Sequence, residues 1–147
     1  MSDYARNKKV LFEYEILEKY EAGLSLRGFE VKAIRAGLAS LQGAYVVIRG
    51  NEAFLTSAVI PAYQKANAPA DYDPASTRRL LLHKEEIRVL LGKTALKGLT
   101  LAPIRLYNKH GKIKLEFALV RGKKKFDKRE SIKKRDVERE LSRRNSL

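Results

Sequence analysis

Apolar and polar positions alternate along most of this chain, and where the alternation fails the spacing turns helical. Phe12, Tyr14 and Ile16 share one face at period two, and Ala22, Leu24 and Leu26 do so again after Tyr20 and Glu21. This predicts two strands between residues 10 and 26. Val31, Ile34 and Leu38 then follow helical spacing, which predicts a helix over 28–37, with Gly37 suited to its C-terminal cap. Strands are expected at 44–48 and 53–60, joined by a tight turn at Arg49-Gly50-Asn51-Glu52. Pro69, Pro74 and the Asp71-Tyr72-Asp73 cluster make 61–75 a loop.

Ser76 or Thr77 is expected to cap a helical region reaching about Lys97, with a break near His83, on the apolar positions Leu80, Leu81, Ile87, Leu90 and Leu91. Two more strands follow. One covers 99–107, and Ile113, Leu115, Phe117 and Leu119 give the other a clean alternation, with Gly111 free to take positive φ in the turn between them. The expected fold is mainly β with helices: about six antiparallel strands, closing into a small barrel of oligonucleotide-binding type. An open sandwich is the alternative.

The pattern changes character at residue 121. Residues 121–147 hold twelve Lys or Arg against five Asp or Glu, a net of +7 and half of the chain's +14. Residues 1–120 therefore read as an RNA-binding β-barrel domain and 121–147 as a basic C-terminal tail. Asp127 and Glu130 form an acceptable capping box. Ile132, Val137 and Leu141 make no single stripe, so a helix here should be disordered alone and form on an RNA surface that screens its charge.

Charge of this sign and density points to polyanionic partners, with nucleic acid first. No apolar run approaches the roughly 18 residues of a membrane span, and the N-terminus lacks the apolar core of a signal peptide. Cysteine is absent from the 147 residues, which excludes disulfides and Cys-ligated metals and suits a reducing cytosol.

Catalytic chemistry finds little to work with. His83 and His110 are the only histidines, expected in a helical segment and a hairpin turn, and carboxylates are scattered among Lys and Arg. No cofactor or metal site is expected. Leu91-Gly92-Lys93-Thr94 resembles the end of a phosphate-binding loop, but Ile87 stands where that loop needs its first glycine.

The basic groups are more coherent. Arg6, Lys8 and Lys9 flank Asn7, Lys32 and Arg35 lie three apart on one helix face, Arg78, Arg79 and Lys84 cluster, and Lys123, Lys124 and Lys125 follow the last strand. Phosphate contacts accumulate along such groups. Tyr14, Tyr20, Phe29 and Tyr45 are candidate stacking surfaces.

Several motifs occur together in order: Ala5-Arg6-Asn7-Lys8-Lys9, Tyr20-Glu21-Ala22-Gly23, Gly28-Phe29-Glu30-Val31-Lys32, Arg35-Ala36-Gly37, Thr77-Arg78-Arg79-Leu80-Leu81-Leu82, Lys97-Gly98-Leu99-Thr100, Gly122-Lys123-Lys124 and Asp127-Lys128-Arg129. With them the chain resembles the small protein B (SmpB) family, the SsrA-binding proteins of bacterial trans-translation.

The resemblance implies a barrel with about three helices that binds the tRNA-like domain of transfer-messenger RNA (tmRNA). The charged RNA is delivered with elongation factor Tu to stalled ribosomes. There the tail becomes helical in the empty message channel beyond the decoding centre, against small-subunit rRNA. Gly28, Glu30 and Lys32 match the family's RNA-binding helix motif, Asn7 its N-terminal motif, and Lys123 and Lys124 its basic strand exit. Arg6, Lys8, Lys9 and Arg35 complete the expected RNA-binding set. Asp127, Lys128 and Arg129 match the start of the ribosome-binding tail, which Lys133, Lys134 and Arg135 continue.

The expected protein is a cytoplasmic, non-enzymatic adaptor, with a monomer as the simplest state. A structural ribosomal protein with an rRNA-threading tail is the main rival, and a small ribonuclease a second.

Overall fold

The computed structural model describes residues 3–122. Its elements are β1 (Asp3–Arg6), α1 (Lys8–Glu13), β2 (Tyr14–Leu24), α2 (Gly28–Arg35), β3 (Tyr45–Arg49), β4 (Glu52–Thr56), a 3-10 turn (Lys65–Asn67), β5 (Arg78–Leu81), α3 (Lys84–Thr94), β6 (Leu99–Lys109) and β7 (Lys112–Gly122). All seven strands join one antiparallel sheet in the order β1-β6-β3-β4-β5-β2-β7, with β7 also paired to β6. The pairings thus return to their starting strand: β6, β3, β4, β5, β2, β7 and β6 again, with β1 added beside β3 on β6.

Turn chemistry sets the hairpins. His110 and Gly111 both take positive φ (53° and 79°) between β6 and β7, the pattern of a type I′ turn, whose twist matches that of the strands. After α2, the Gly37 amide donates to Ile34 O and the Leu38 amide to Ala33 O, both at 3.0 Å. With Gly37 at φ 78°, this is a Schellman ending that satisfies carbonyls the helix leaves open.

Three expectations are corrected. The stretch 10–26 is not two strands: its first residues are α1, and β2 runs unbroken from Tyr14 through Tyr20 and Glu21 to Leu24. Three residues of apparent alternation were too few to exclude one helical turn and a half. The stretch after Ser76 and Thr77 is β5, with its residues alternately buried and exposed, and helix begins only at Lys84 with His83 as N-cap. Arg78 points inward there, so a pattern that counts arginine as polar surface hides the strand. The short β1, unexpected from sequence, brings the strands to seven.

A β-bulge in β2 divides the core. Ile16 pairs with Val120, but Glu18 pairs with Leu119, so one extra residue enters between them. Tyr14 and Ile16 therefore pack on a small cluster of Val10, Ala102, Ile104, Ala118 and Val120. Beyond the bulge, Tyr20, Ala22 and Leu24 face the main core of Ile34, Leu55, Leu80, Leu106, Leu115 and Phe117. The Tyr20 and Phe117 rings stack at 5.6 Å. Each fully buried side chain of this size contributes about 1.5–3 kcal/mol.

Inside this apolar frame sits a buried ion pair. Arg78 and Glu30 are 3% and 4% exposed, and Arg78 Nε donates to Glu30 Oε2 at 2.9 Å. Arg78 also donates to Ala58 O and to the Tyr72 hydroxyl, both at 2.8 Å. The single hydroxyl proton of Tyr72 goes to Ile60 O at 2.6 Å. Glu30 Oε1 reaches back to the Arg27 amide at 2.9 Å and caps α2. One network therefore ties α2, β5, the end of the β4 segment and the 61–75 loop together.

Removing one partner of such a pair strands the other charge in the core, which costs about 3–5 kcal/mol. Glu30→Ala and Arg78→Met should each lower unfolding free energy in urea by about that amount; losses below about 1 kcal/mol would show a solvated pair. A second prediction concerns alkali. Burial, with a hydrogen bond donated to Glu21, pushes the Tyr107 hydroxyl above the usual tyrosine range. The stabilisation is complete below the unfolded value of about 10 and is lost as pH climbs towards the folded value. The stability difference between the native chain and Tyr107→Phe should therefore narrow above pH about 10; a constant difference would show that Tyr107 does not titrate with unfolding.

Candidate nucleic-acid interface

The expected RNA-binding residues fall into three kinds of environment. Lys8 and Lys9 are exposed on the first turn of α1, Lys9 lying 3.8 Å from Glu13. Arg6 is exposed at the end of β1, where Asp3 holds its Nε at 2.8 Å. Lys32 and Arg35 project from the exposed side of α2, and Arg35 Nη2 is oriented by Gly111 O at 3.0 Å. That last contact sets α2 beside the β6–β7 turn and creates a grouping the sequence did not reveal. Arg35, Lys112 and Lys114 rim a concavity of about 330 Å³ floored by Leu24, Val31 and Leu81.

Asn7 and Glu30 belong to the second kind. Asn7 is buried, its side chain donating to Leu41 O at 3.2 Å and its amide to Ile104 O at 2.7 Å. Glu30 is buried in the ion pair described above, with both carboxylate oxygens engaged. Gly28 opens α2 and is exposed, and a side chain there would meet nothing within 4 Å. The protein's own packing does not require a glycine at that position. Arg78 is also a core residue and leaves the basic cluster in which the sequence put it. Of that cluster, Arg79 pairs with Glu52 at 3.6 Å and Lys84 stands exposed.

The third kind is out of reach: Lys123, Lys124, Asp127, Lys128, Arg129, Lys133, Lys134 and Arg135 lie outside the described residues.

Register places the described cations at two ends of one ladder. Tyr14 pairs with Gly122, next to α1, and Gly23 pairs with Lys114, next to α2. The intervening strand spans up to roughly 30 Å. One end therefore carries Lys8, Lys9 and the root of the tail, and the other carries Arg35, Lys112 and Lys114.

The aromatics divide similarly. Tyr20 stacks in the core, Phe29 meets Tyr72 edge-on at 4.8 Å, and Tyr14 lies on the smaller cluster. Tyr45 is the one of the four that is exposed. Phe12 and Tyr63 are also exposed rings, which the strand reading passed over.

The residues of conceivable catalytic chemistry are absorbed into structure. His83 is the α3 N-cap and His110 shapes a turn. Lys93, in the last turn of α3, donates to Glu18, and that hydrogen bond holds the Glu18 carboxyl below its usual range. Thr94 Oγ1 donates back to Leu90 O at 2.9 Å. A phosphate-binding loop is therefore excluded here. Among the described residues no group of His, Asp and Glu is arranged to hold a metal ion, and no helix is long and apolar enough to cross a membrane.

Known proteins share this fold and sequence. The family described as SmpB protein matches residues 4–146. The SsrA-binding protein of Ralstonia pickettii (strain 12J) is 51% identical over 139 residues, which cover 95% of this chain and 94% of that protein. The SsrA-binding protein of Trichodesmium erythraeum (strain IMS101) is 50% identical over 137 residues, covering 93% and 88%. A solved chain from the structure called "tmRNA-SmpB: a journey to the center of the bacterial ribosome" superposes with a TM-score of 0.67 at 45% identity, over 82% of this chain and 84% of that one. Agreement of this extent, running through the described domain and the tail alike, makes the chain a member of the SmpB family.

Proposed function

We propose that this protein is an RNA-binding adaptor. It binds the tRNA-like domain of tmRNA and brings it to stalled ribosomes for trans-translation, and it performs no catalysis of its own. The observation that carries this reading is the family match over residues 4–146, which takes in both the domain and the basic tail. Relatives at about half identity are SsrA-binding proteins, and a solved relative is seen with tmRNA and the ribosome.

In this reading the circuit of strand pairings is a small barrel of oligonucleotide-binding type, and the chain acts as a cytoplasmic monomer. Lys32, Arg35, Lys112 and Lys114 supply phosphate contacts to the folded RNA. Structured RNA is read mainly through shape and backbone, which suits a rigid surface with cations at fixed positions. Glu30 and Asn7 serve the RNA indirectly, by fixing α2 and the start of α1. Gly28 leaves room for a phosphate or ribose to approach the helix N-terminus. The tail, with Asp127, Lys128, Arg129, Lys133, Lys134 and Arg135, engages small-subunit rRNA in the message channel. Elongation factor Tu joins through the charged RNA.

Binding to a labelled tRNA-like domain across a salt series tests this. Lys32→Ala, Arg35→Ala and Lys114→Ala should each flatten the log–log salt slope by about one unit while preserving the fold. Deleting residues 126–147 should leave that affinity nearly unchanged and abolish tagging on ribosomes. Affinity that collapses with the tail, or a chain that stays on salt-washed ribosomes without tmRNA, would overturn the reading in favour of a resident ribosomal protein.

A further inference from the structure

The bond from Arg78 to Tyr72 holds the 61–75 loop beside β5, and the two wall a cavity of about 590 Å³. Ligand sites typically measure about 300–1,000 Å³. The lining includes Arg27, Phe54, Asp71 and Arg79, with the buried Glu30 and Arg78 behind them. Phe54 is half-buried but belongs to neither apolar cluster, because its neighbours Ala53 and Leu55 take the inward positions of β4. Its direct partner on β5 is Arg79, so ring and guanidinium stand together on the outer face of the sheet. Arg79 is held only by the exposed pair with Glu52 at 3.6 Å, a weak restraint. The Ser25 amide donates to Arg79 O at 3.0 Å, which brings Arg27 to the same place. Among the described residues Arg27 has no ion pair, and the exposed Asp71 has neither an ion pair nor a side-chain hydrogen bond.

A carboxylate set among arginines repels phosphate but accepts N–H donors. Guanine presents two such donors side by side, at N1 and at its N2 amino group. Adenine and cytosine put an acceptor next to their amino group, and uracil flanks its single N–H with acceptors. We propose that this cavity takes one unstacked guanine nucleotide of a folded RNA. The base lies on the Phe54 ring with its N1 and N2 donors on Asp71, and the adjoining phosphates meet Arg27 and Arg79. Unpaired loop bases are what proteins read in structured RNA, by stacking and by hydrogen bonds to the base edge. Leu26 lines both this cavity and the hollow that holds Arg35, Lys112 and Lys114, so one RNA surface can cover the two. The inference rests on the RNA-binding reading above and adds a base-specific contact to its phosphate contacts. It also gives the long loop a task, since anchored Tyr72 fixes its neighbour Asp71 at the rim.

The test uses the full-length protein and a labelled tRNA-like domain in which each guanine outside a base pair is replaced, one at a time, by inosine. Inosine lacks the N2 amino group. One position should cost the native protein about tenfold in affinity and the Asp71→Asn protein nothing further. Asp71→Asn should itself weaken binding of the unmodified RNA, although it removes a negative charge; a surface that reads charge alone would bind more tightly. Phe54→Leu should weaken binding at least about fivefold. Arg27→Ala and Arg79→Ala should each flatten the log–log salt slope by about one unit. Should Phe54→Leu perturb the fold, Asp71→Asn decides alone, since Asp71 is exposed and supports nothing around it. Unchanged or tighter binding by Asp71→Asn, or the lack of any inosine-sensitive position, would overturn this inference and leave the proposed function standing. A native protein that does not bind the RNA at all would overturn both.

Discussion

The Glu30–Arg78 ion pair is the constraint on which the placement of everything else around α2 depends. Two charges in an apolar core are unfavourable unless every donor and acceptor is used. Here each nitrogen of Arg78 and each carboxylate oxygen of Glu30 has a partner: Arg78 reaches Glu30, Ala58 O and Tyr72, while Glu30 also caps its own helix through the Arg27 amide. The geometry can be met only when α2, β5, the segment leaving β4 and the 61–75 loop are all in position. A loop of that length with little regular structure gains its anchor from Tyr72, held between Arg78 and Ile60 O. The cations Lys32 and Arg35 are carried on the helix so fixed, and Arg35 is then aimed by Gly111 O. Core electrostatics thus determine surface electrostatics.

A second consequence follows from strand length. The β2–β7 ladder runs from Tyr14–Gly122 to Gly23–Lys114, and its two ends carry different chemistry. At the α2 end, Arg35, Lys112 and Lys114 line an apolar hollow. At the α1 end, the exposed Lys8 and Lys9, an exposed ring and the end of β7 lie together. An adaptor needs two separate attachment points, so that holding one partner does not block the other. A single ladder that carries exposed cations at both ends offers two such points.

The sequence was legible wherever a residue's polarity reported its burial. Ile113, Leu115, Phe117 and Leu119 alternate cleanly, and β7 follows them; Val31 and Ile34 with Gly37 mark α2 and its end. It misled where polarity and burial part company. Inward-pointing Arg78 disguised β5 as helix, and Glu30 and Asn7, which the family motifs placed in the RNA-binding set, are buried. The bulge at Leu17 reassigns β2 residues to two different clusters without changing their parity, which no period can reveal. Lys112 and Lys114 join Arg35 only through the turn at Gly111, a contact 76 residues apart in sequence. Family motifs supplied the candidate residues, and packing then separated the exposed ones from those that hold the others in place.

The proposal most open to test is that the α2 end of the ladder, with Lys32, Arg35, Lys112 and Lys114, binds the tRNA-like domain. Hydrogen exchange of the full-length protein, with and without that RNA, tests it directly. The account predicts new protection in α2 and at the β6–β7 turn around Gly111. Protection confined to α1 and the tail, with α2 unchanged, would contradict it.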